Sequence, residues 1–320
     1  MVLGVFVCAI AFLAAYFVDP GNSFQAFAAL ILLAAFSMAL FDTAADAYAV
    51  ERVPRQQYVK VQSLMTTGRA VGFTALSVVF ALLSSKFGYS IILLLLAVCM
   101  LIPMCLLVTL PEHRQPSSRK DFDWGAFRAL LAPSRVLLGV LLIFAWFLYQ
   151  GIDGTFTYFL GKELLASESF TARFSIIKGF AMCIGAAGSF LIVRRYGNLT
   201  AVVITLVLVT LSGLAASRVE DLVEGLVIAL LTGITAGFHW TVWMTVLMNV
   251  ADLRIAGSTL AIFQIMANIG IAAGEGVATN LTSTTGFSDV FFYFGVFNLV
   301  LVIPAIFVLR RINAHRQNHH

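Results

Sequence analysis

Charge is what this chain has least of. Asp, Glu, Lys and Arg make up 11% of its 320 residues, 60% are hydrophobic, and the mean hydropathy is +0.95. A soluble domain needs a charged, water-facing surface, so this composition leaves almost nothing for one. Cysteines number four, Cys8, Cys99, Cys105 and Cys183. All lie in apolar runs at no metal-like spacing, which excludes a zinc site and reads each as a small hydrophobe. The N-terminus lacks a basic region and a small-residue cleavage site, since Met1 leads straight into "VLGVFVCAIAFLAAYFV", and this argues against a signal peptide. The basic residues are spread over short loops, which gives nucleic-acid binding no support.

What the chain does have is a series of apolar runs of about 20 residues, the length that crosses a bilayer. Ten are recognised, at about 2–18, 24–50, 58–85, 88–110, 135–160, 169–193, 199–217, 222–250, 256–282 and 287–309. The expected fold is an all-α polytopic membrane protein. Lys and Arg alternate between the loops: those after spans 2, 4, 6 and 8, with the C-terminal tail, hold 14, and the opposite loops hold 4 (Lys86, Lys162, Arg173 and Arg218). The richer set belongs in the cytoplasm, which puts the C-terminus there as well.

Between residues 111 and 134 lies the longest polar stretch, with several charges and one short amphipathic piece, "DWGAFRALL"; it reads as a cytoplasmic connector between two membrane halves, 1–110 and 135–320. The halves echo each other. "KFGYSIILLLLAVCMLIPM" (86–104) matches "TGFSDVFFYFGVFNLVLVIPA" (285–305), Gly88 and Gly286 are 198 apart, as are Gly72 and Gly270, and Phe41 and Phe238 are 197 apart. That offset spans six helices, so a full pair of repeats is twelve. The second half supplies six and the first only four, so the given sequence is expected to be an N-terminally shortened form of a longer chain.

The six-plus-six plan, the basic connector and "GSFLIVRRYGN" after the sixth span resemble the major facilitator superfamily. The "RRYG" of 194–197 is similar to the loop signature of that superfamily, with Arg194 standing where the family has Asp. "FDTAADAYAVERVP" (41–54), "TTGRAVG" and "LYQGIDGTFTYFL" are similar to helices of the muropeptide-permease branch, which includes siderophore and acetyl-CoA carriers. The chain departs from that branch at Phe41, where a polar residue is usual, and in "RQQY". The resemblance implies a bundle of two halves, with residues 1–110 equivalent to helices 3–6, in a bacterial cytoplasmic membrane.

Ionisable groups inside such spans are costly, about 3 kcal/mol each on insertion scales, and so mark function by default. Asp42 and Asp46 are four residues apart and share one helix face. Counting about 1.5 Å per residue, Asp42 lies about 12 Å from the inner end of its span and Arg69 about 16 Å from the same side, so Arg69 can neutralise one carboxylate. Two carboxylates with one arginine titrate as a unit, able to hold a proton in one state and release it in another; a static salt bridge pinning the two spans is the competing reading. Asp153, with Tyr149 and Gln150 beside it, suits a substrate cavity, or else a solvated helix end. Lys178 either snorkels outward or reaches Asp153. Glu275, between Gly274 and Gly276, has no basic partner in its own span and is either a second proton carrier or a neutral hydrogen-bond donor. His239 has Trp240 and Trp243 as neighbours; it reads first as a satisfied interhelical hydrogen-bond donor and second as a cavity residue with Trp243. Gln62, Asn249, Gln264, Asn268 and Asn280 are uncharged cavity candidates.

These features predict a proton-coupled secondary transporter, not an enzyme, whose partners are a small-molecule solute, protons and the bilayer, working as a monomer without cofactor, metal or nucleic acid. The resemblance implies a muropeptide-like, siderophore-like or other bulky amphiphilic solute. Two other readings stand beside it. One is a non-transporting remnant or sensor of the same fold. The other is an intramembrane transferase using the D-x-x-x-D of Asp42 and Asp46 to hold Mg²⁺, which would need a second Asp-rich motif that the sequence lacks.

Overall fold

In a bilayer the backbone cannot hydrogen-bond to solvent, so an apolar run must satisfy its own N–H and C=O groups, and the helix does this within one segment. The computed structural model describes residues 1–88, 90–109 and 123–317, and its elements among them are helical. They are α1 (Val2–Tyr16), α2 (Phe24–Arg52), α3 (Tyr58–Phe87), α4 (Ser90–Thr109), α5 (Trp124–Arg128), α6 (Pro133–Lys162), α7 (Glu168–Ala216), α8 (Leu222–Val250), α9 (Ala256–Thr285), α10 (Phe287–Val300) and α11 (Val302–Gln317). Most of the connector, with Arg114, Arg119 and Lys120, lies outside the described residues. Its amphipathic piece is α5, whose N-cap Asp123 accepts a hydrogen bond from the Ala126 N–H at 2.8 Å.

Two expected boundaries look different in the structure. The spans at 169–193 and 199–217 form one element, α7, whose 49 residues would run about 73 Å if straight, more than twice the hydrocarbon thickness. Gly197 breaks it, with φ 81° and ψ 173°, a backbone conformation that only glycine adopts without strain. The two arms fold back on each other: Gly185 of the first packs on Ile234 of α8, and Ser212 of the second shares a hydrogen bond of 2.8 Å with Thr235, on the same turn of α8. Conversely, the last span is divided into α10 and α11 at Leu301. Pro304 explains the division, since it has no N–H to give the Val300 carbonyl. Counting α7 twice and α10 with α11 once gives the ten apolar segments expected from the sequence, of which α1, at 15 residues, is shorter than a full crossing.

Packing is uneven. One large core joins α6 to α11, with Val50 of α2 and Tyr58 of α3 tied into it; a separate small cluster of Cys8, Ala11 and Ala34 holds α1 against α2. Helix α3 packs on α7 and α8 more than on α2, and α9 packs mainly on α6. Without a hydrophobic force between helices in lipid, close approach depends on small residues. Gly233 and Gly237 of α8 sit over the backbone carbonyls of Lys178 and Met182, leaving no room for a side chain.

Candidate functional site

The expected site residues project from six helices, and the structure brings most of them into one connected arrangement. Asp42 on α2 meets Arg69 on α3, Nη2 to Oδ2 at 3.1 Å, with the arginine side chain 26% exposed and the carboxylate 42%. The matched depths counted from sequence therefore correspond to a contact. The guanidinium also lies over the Trp240 ring of α8, 5.3 Å from its centroid, a cation–π contact worth about 0.5–2 kcal/mol depending on solvation.

Asp46, one turn nearer the inner end, is separated from that pair in environment. It is 4% exposed, and its Oδ1 accepts from Gln62 Nε2 of α3 at 3.1 Å. The same Nε2 lies 3.1 Å from the Met248 sulfur of α8, so Asp46, Gln62 and Met248 join three helices at one level. The two carboxylates thus share a helix face without sharing a direct contact: Asp42 touches the cation and Asp46 an amide, while the charge of Arg69 acts on Asp46 from farther off. Among the described residues no group of three or more His, Cys, Asp or Glu side chains is placed to hold a metal ion.

From Trp240 the contacts continue into an aromatic cluster. Trp146 of α6 packs edge-on against Trp240 at 4.8 Å between centroids and against His239 at 4.6 Å; Tyr149, one turn along α6, stacks on His239 at 4.5 Å and 19°; and Trp243 closes the far side at 6.3 Å. His239 is 0% exposed, and neither ring nitrogen has a hydrogen-bond partner among the described residues. The expected interhelical donor thus has no protein acceptor among the described residues. The spacing of Trp146 and Tyr149 turns two rings of α6 toward α8, where Tyr149 covers a face of the imidazole. Trp240 Nε1 and Trp243 Nε1 are likewise buried without a partner, so donors converge on a largely apolar locus.

Toward the other end of the bundle, Lys178 of α7 turns inward and meets Asp153 of α6, Nζ to Oδ1 at 2.7 Å, with side chains 19% and 14% exposed. Of the two orientations open to Lys178, snorkelling is the one the structure does not take. Gln150 points a different way, its Nε2 3.5 Å from Glu275 Oε2 of α9, and Glu275 is exposed on the flank of that helix. The Glu275 carboxylate stands apart from both ion pairs. Gln264, Asn268 and Asn280 make no side-chain hydrogen bond to these residues among those described, whereas Gln62 links Asp46 to Met248. Trp146 was not singled out by sequence. Its signal was its place three residues before Tyr149, on the same helix face.

The geometry describes a helical carrier: two ion pairs and a buried carboxylate set across interhelical seams, around an aromatic centre. The family model of the Major Facilitator Superfamily matches residues 1–274, and the chain belongs to that superfamily, as an integral multi-pass secondary transporter. The superfamily is generally non-enzymatic. Among solved structures, the human organic anion transporter MFSD10 (TETRAN) is similar over 94% of this chain and 76% of its own, at 19% identity and a TM-score of 0.70. The fucose:proton symporter FucP of E. coli is similar over 96% and 82%, at 16% identity and 0.72. A bacterial homologue of the iron transporter ferroportin, in its outward-facing state, is similar over 97% and 82%, at 14% identity and 0.66. At these identities the likeness speaks for the fold. No curated sequence matches the chain.

Proposed function

We propose that this transporter couples solute movement to protons and that the Asp42, Asp46 and Arg69 group is the coupling site. The observation that carries the reading is the imbalance: two carboxylates one turn apart inside the membrane with one cation, Arg69, committed to Asp42, while Asp46 is buried against an amide. Two carboxylates against one guanidinium leave the group with one negative charge in excess, which a proton can balance, and releasing that proton requires a change in the seam that surrounds Asp46. That seam is formed by α2, α3 and α8, which come from both sides of the connector, so rocking of 1–110 against 135–320 changes the surroundings of Asp46. Glu275 is the second proton-site candidate.

The solute side of the reading rests on the aromatic cluster and the Asp153–Lys178 pair. Rings at Tyr149, His239 and Trp243, with Asp153 one turn along α6 from Tyr149, suit a solute with both apolar and hydrogen-bonding parts. Muropeptide-like and siderophore-like molecules are of that kind, and the resemblance of "FDTAADAYAVERVP" and "LYQGIDGTFTYFL" to the muropeptide-permease branch favours them. The protein works as a monomer, with its basic loops and C-terminus in the cytoplasm of a bacterial cell. The test is Asp46→Asn in proteoliposomes: accumulation driven by a pH gradient is lost, while counterflow exchange of the same solute persists. Accumulation equal to wild type in both Asp46→Asn and Asp42→Asn assigns the group a structural role instead.

A further inference from the structure

At the basic end of the bundle, α3, α7 and α8 meet around a cleft of about 600 Å³. Arg55 lines it from the short turn before α3 and Lys60 from the first turn of α3, Arg194, Gly197 and Asn198 from the break in α7, and Asn249 from the end of α8. Three cations face the cleft and no carboxylate does. None of the three enters an ion pair among the described residues, although Arg69, Lys178 and Arg254 all find acidic partners. The positive end of the thirty-residue α3 dipole lies at the same place, with Lys60 in its first turn. Two further features suit an incoming ligand. Gly197 carries open space over its Cα, and Asn249 spends one amide hydrogen on the Thr245 carbonyl at 2.9 Å and has a second to donate.

We propose that this cleft binds a phosphate-bearing anion. Two guanidiniums and an ammonium match the charge and the several acceptor oxygens of a phosphoryl group better than those of a single carboxylate. The volume exceeds that of inorganic phosphate and has room for an attached glycerol or sugar. The ligand ties α3 to α7 and α8, and it stabilises the arrangement in which these helix ends are together, because only there do the three cations converge. Two sources present this chemistry at a membrane surface: an anionic phospholipid headgroup and a soluble phosphate ester.

The experiment compares the full chain in phosphatidylcholine nanodiscs, with glycerol 1-phosphate or pyrophosphate titrated at constant ionic strength, and in nanodiscs where about one lipid in five is phosphatidylglycerol. The readout is Tm. Stabilisation by the soluble esters identifies a soluble ligand, and stabilisation by phosphatidylglycerol alone identifies a headgroup. In either case Arg55→Gln, Lys60→Gln and Arg194→Gln each weaken the half-saturating concentration roughly tenfold, and the triple variant abolishes the effect. Arg310→Gln, which removes a charge away from the cleft, leaves it intact. Binding is read without transport, so failure of the coupling proposal does not touch this result. No stabilisation of wild type by any of the probes overturns the proposal, as does an equal loss in Arg310→Gln and the cleft variants, which would show general surface attraction.

Discussion

Removing Arg69 is the sharpest perturbation of the charge arrangement. At the observed N–O distance the charge centres are about 4 Å apart, and at an effective dielectric constant of about 20 their attraction is about 4 kcal/mol. Both groups are partly exposed, at 26% and 42%, and solvent-exposed pairs deliver at most about 1 kcal/mol, so about 1–2 kcal/mol is the discounted value for this pair. The contact with the Trp240 ring adds about 1 kcal/mol. Arg69→Ala therefore costs about 2–3 kcal/mol, which in a chain of this size lowers Tm by about 3–5 °C. The assay is thermal unfolding of the purified protein in one detergent, read by intrinsic tryptophan fluorescence. The informative comparison is between two double variants. Adding Asp42→Asn to Arg69→Ala removes the carboxylate left without a partner and recovers about 1–2 kcal/mol, whereas adding Asp46→Asn recovers less, because Asp46 rests on Gln62. Equal stability of Arg69→Ala and wild type, or a better rescue by Asp46→Asn than by Asp42→Asn, refutes the pairing and the coupling scheme built on it.

Three other outcomes follow from the geometry. His239→Phe keeps the ring packing and removes two unpartnered nitrogens, so its Tm stays within about 2 °C of wild type, while His239→Ala opens a cavity among Trp146, Tyr149 and Trp243 and costs about 2–4 kcal/mol. Gly237→Val forces a side chain against the Met182 carbonyl and prevents close packing of α7 on α8, seen as loss of monodisperse protein on gel filtration; Gly276→Val, where nothing stands within 4 Å, is tolerated. On the loop after α8, Arg254 bridges Asp252 and Asp123, each at 2.8 Å, and its hydrogen bonds hold the Asp252 carboxyl below the usual aspartate range. A depressed carboxyl stabilises the fold above its unfolded-state value, and this stabilisation is lost as pH falls through the lower folded-state value. Asp252→Asn removes that contribution, so Tm of the variant declines less on acidification below about pH 4 than Tm of wild type.

The span count and the pairing of Asp42 with Arg69 were readable because both depend on distance along a helix, which sequence supplies directly. The aromatic centre was only partly readable. Tyr149, His239 and Trp243 were visible as polar or bulky residues in apolar spans, but the faces by which helices meet depend on close approaches that periodicity does not display, such as those at Gly270 and Gly274, which let α9 press on the α6 backbone at Ile143 and Phe147. Lys178 shows the same limit. Its choice between outward and inward orientation is a tertiary matter, and the carboxylate of Asp153 25 residues away decides it. The separation of Asp42 from Asp46 was hidden because helical periodicity sees both on one face and cannot see that Gln62 reaches only the second. The basic cleft was hidden for a related reason: Arg55, Lys60 and Arg194 are ordinary loop cations until α3 and α7 bring them to one opening.

The break at Gly197 bears on how this protein can be handled at the bench. Two membrane passes are joined there by a single residue out of helical geometry, with no loop between them. An epitope, protease site or fluorescent protein placed at 197–198 would have to wedge the two arms of α7 apart at the level where Phe190 and Val193 face α3. The connection between α7 and α8, by contrast, has Val219 and Glu220 in non-helical backbone and Asp221 serving as a helix cap. Topology mapping by insertion should therefore use 218–220 to report one side of the membrane and the C-terminal tail to report the other. Position 197 is better probed by a single cysteine, which adds a small label without lengthening the chain.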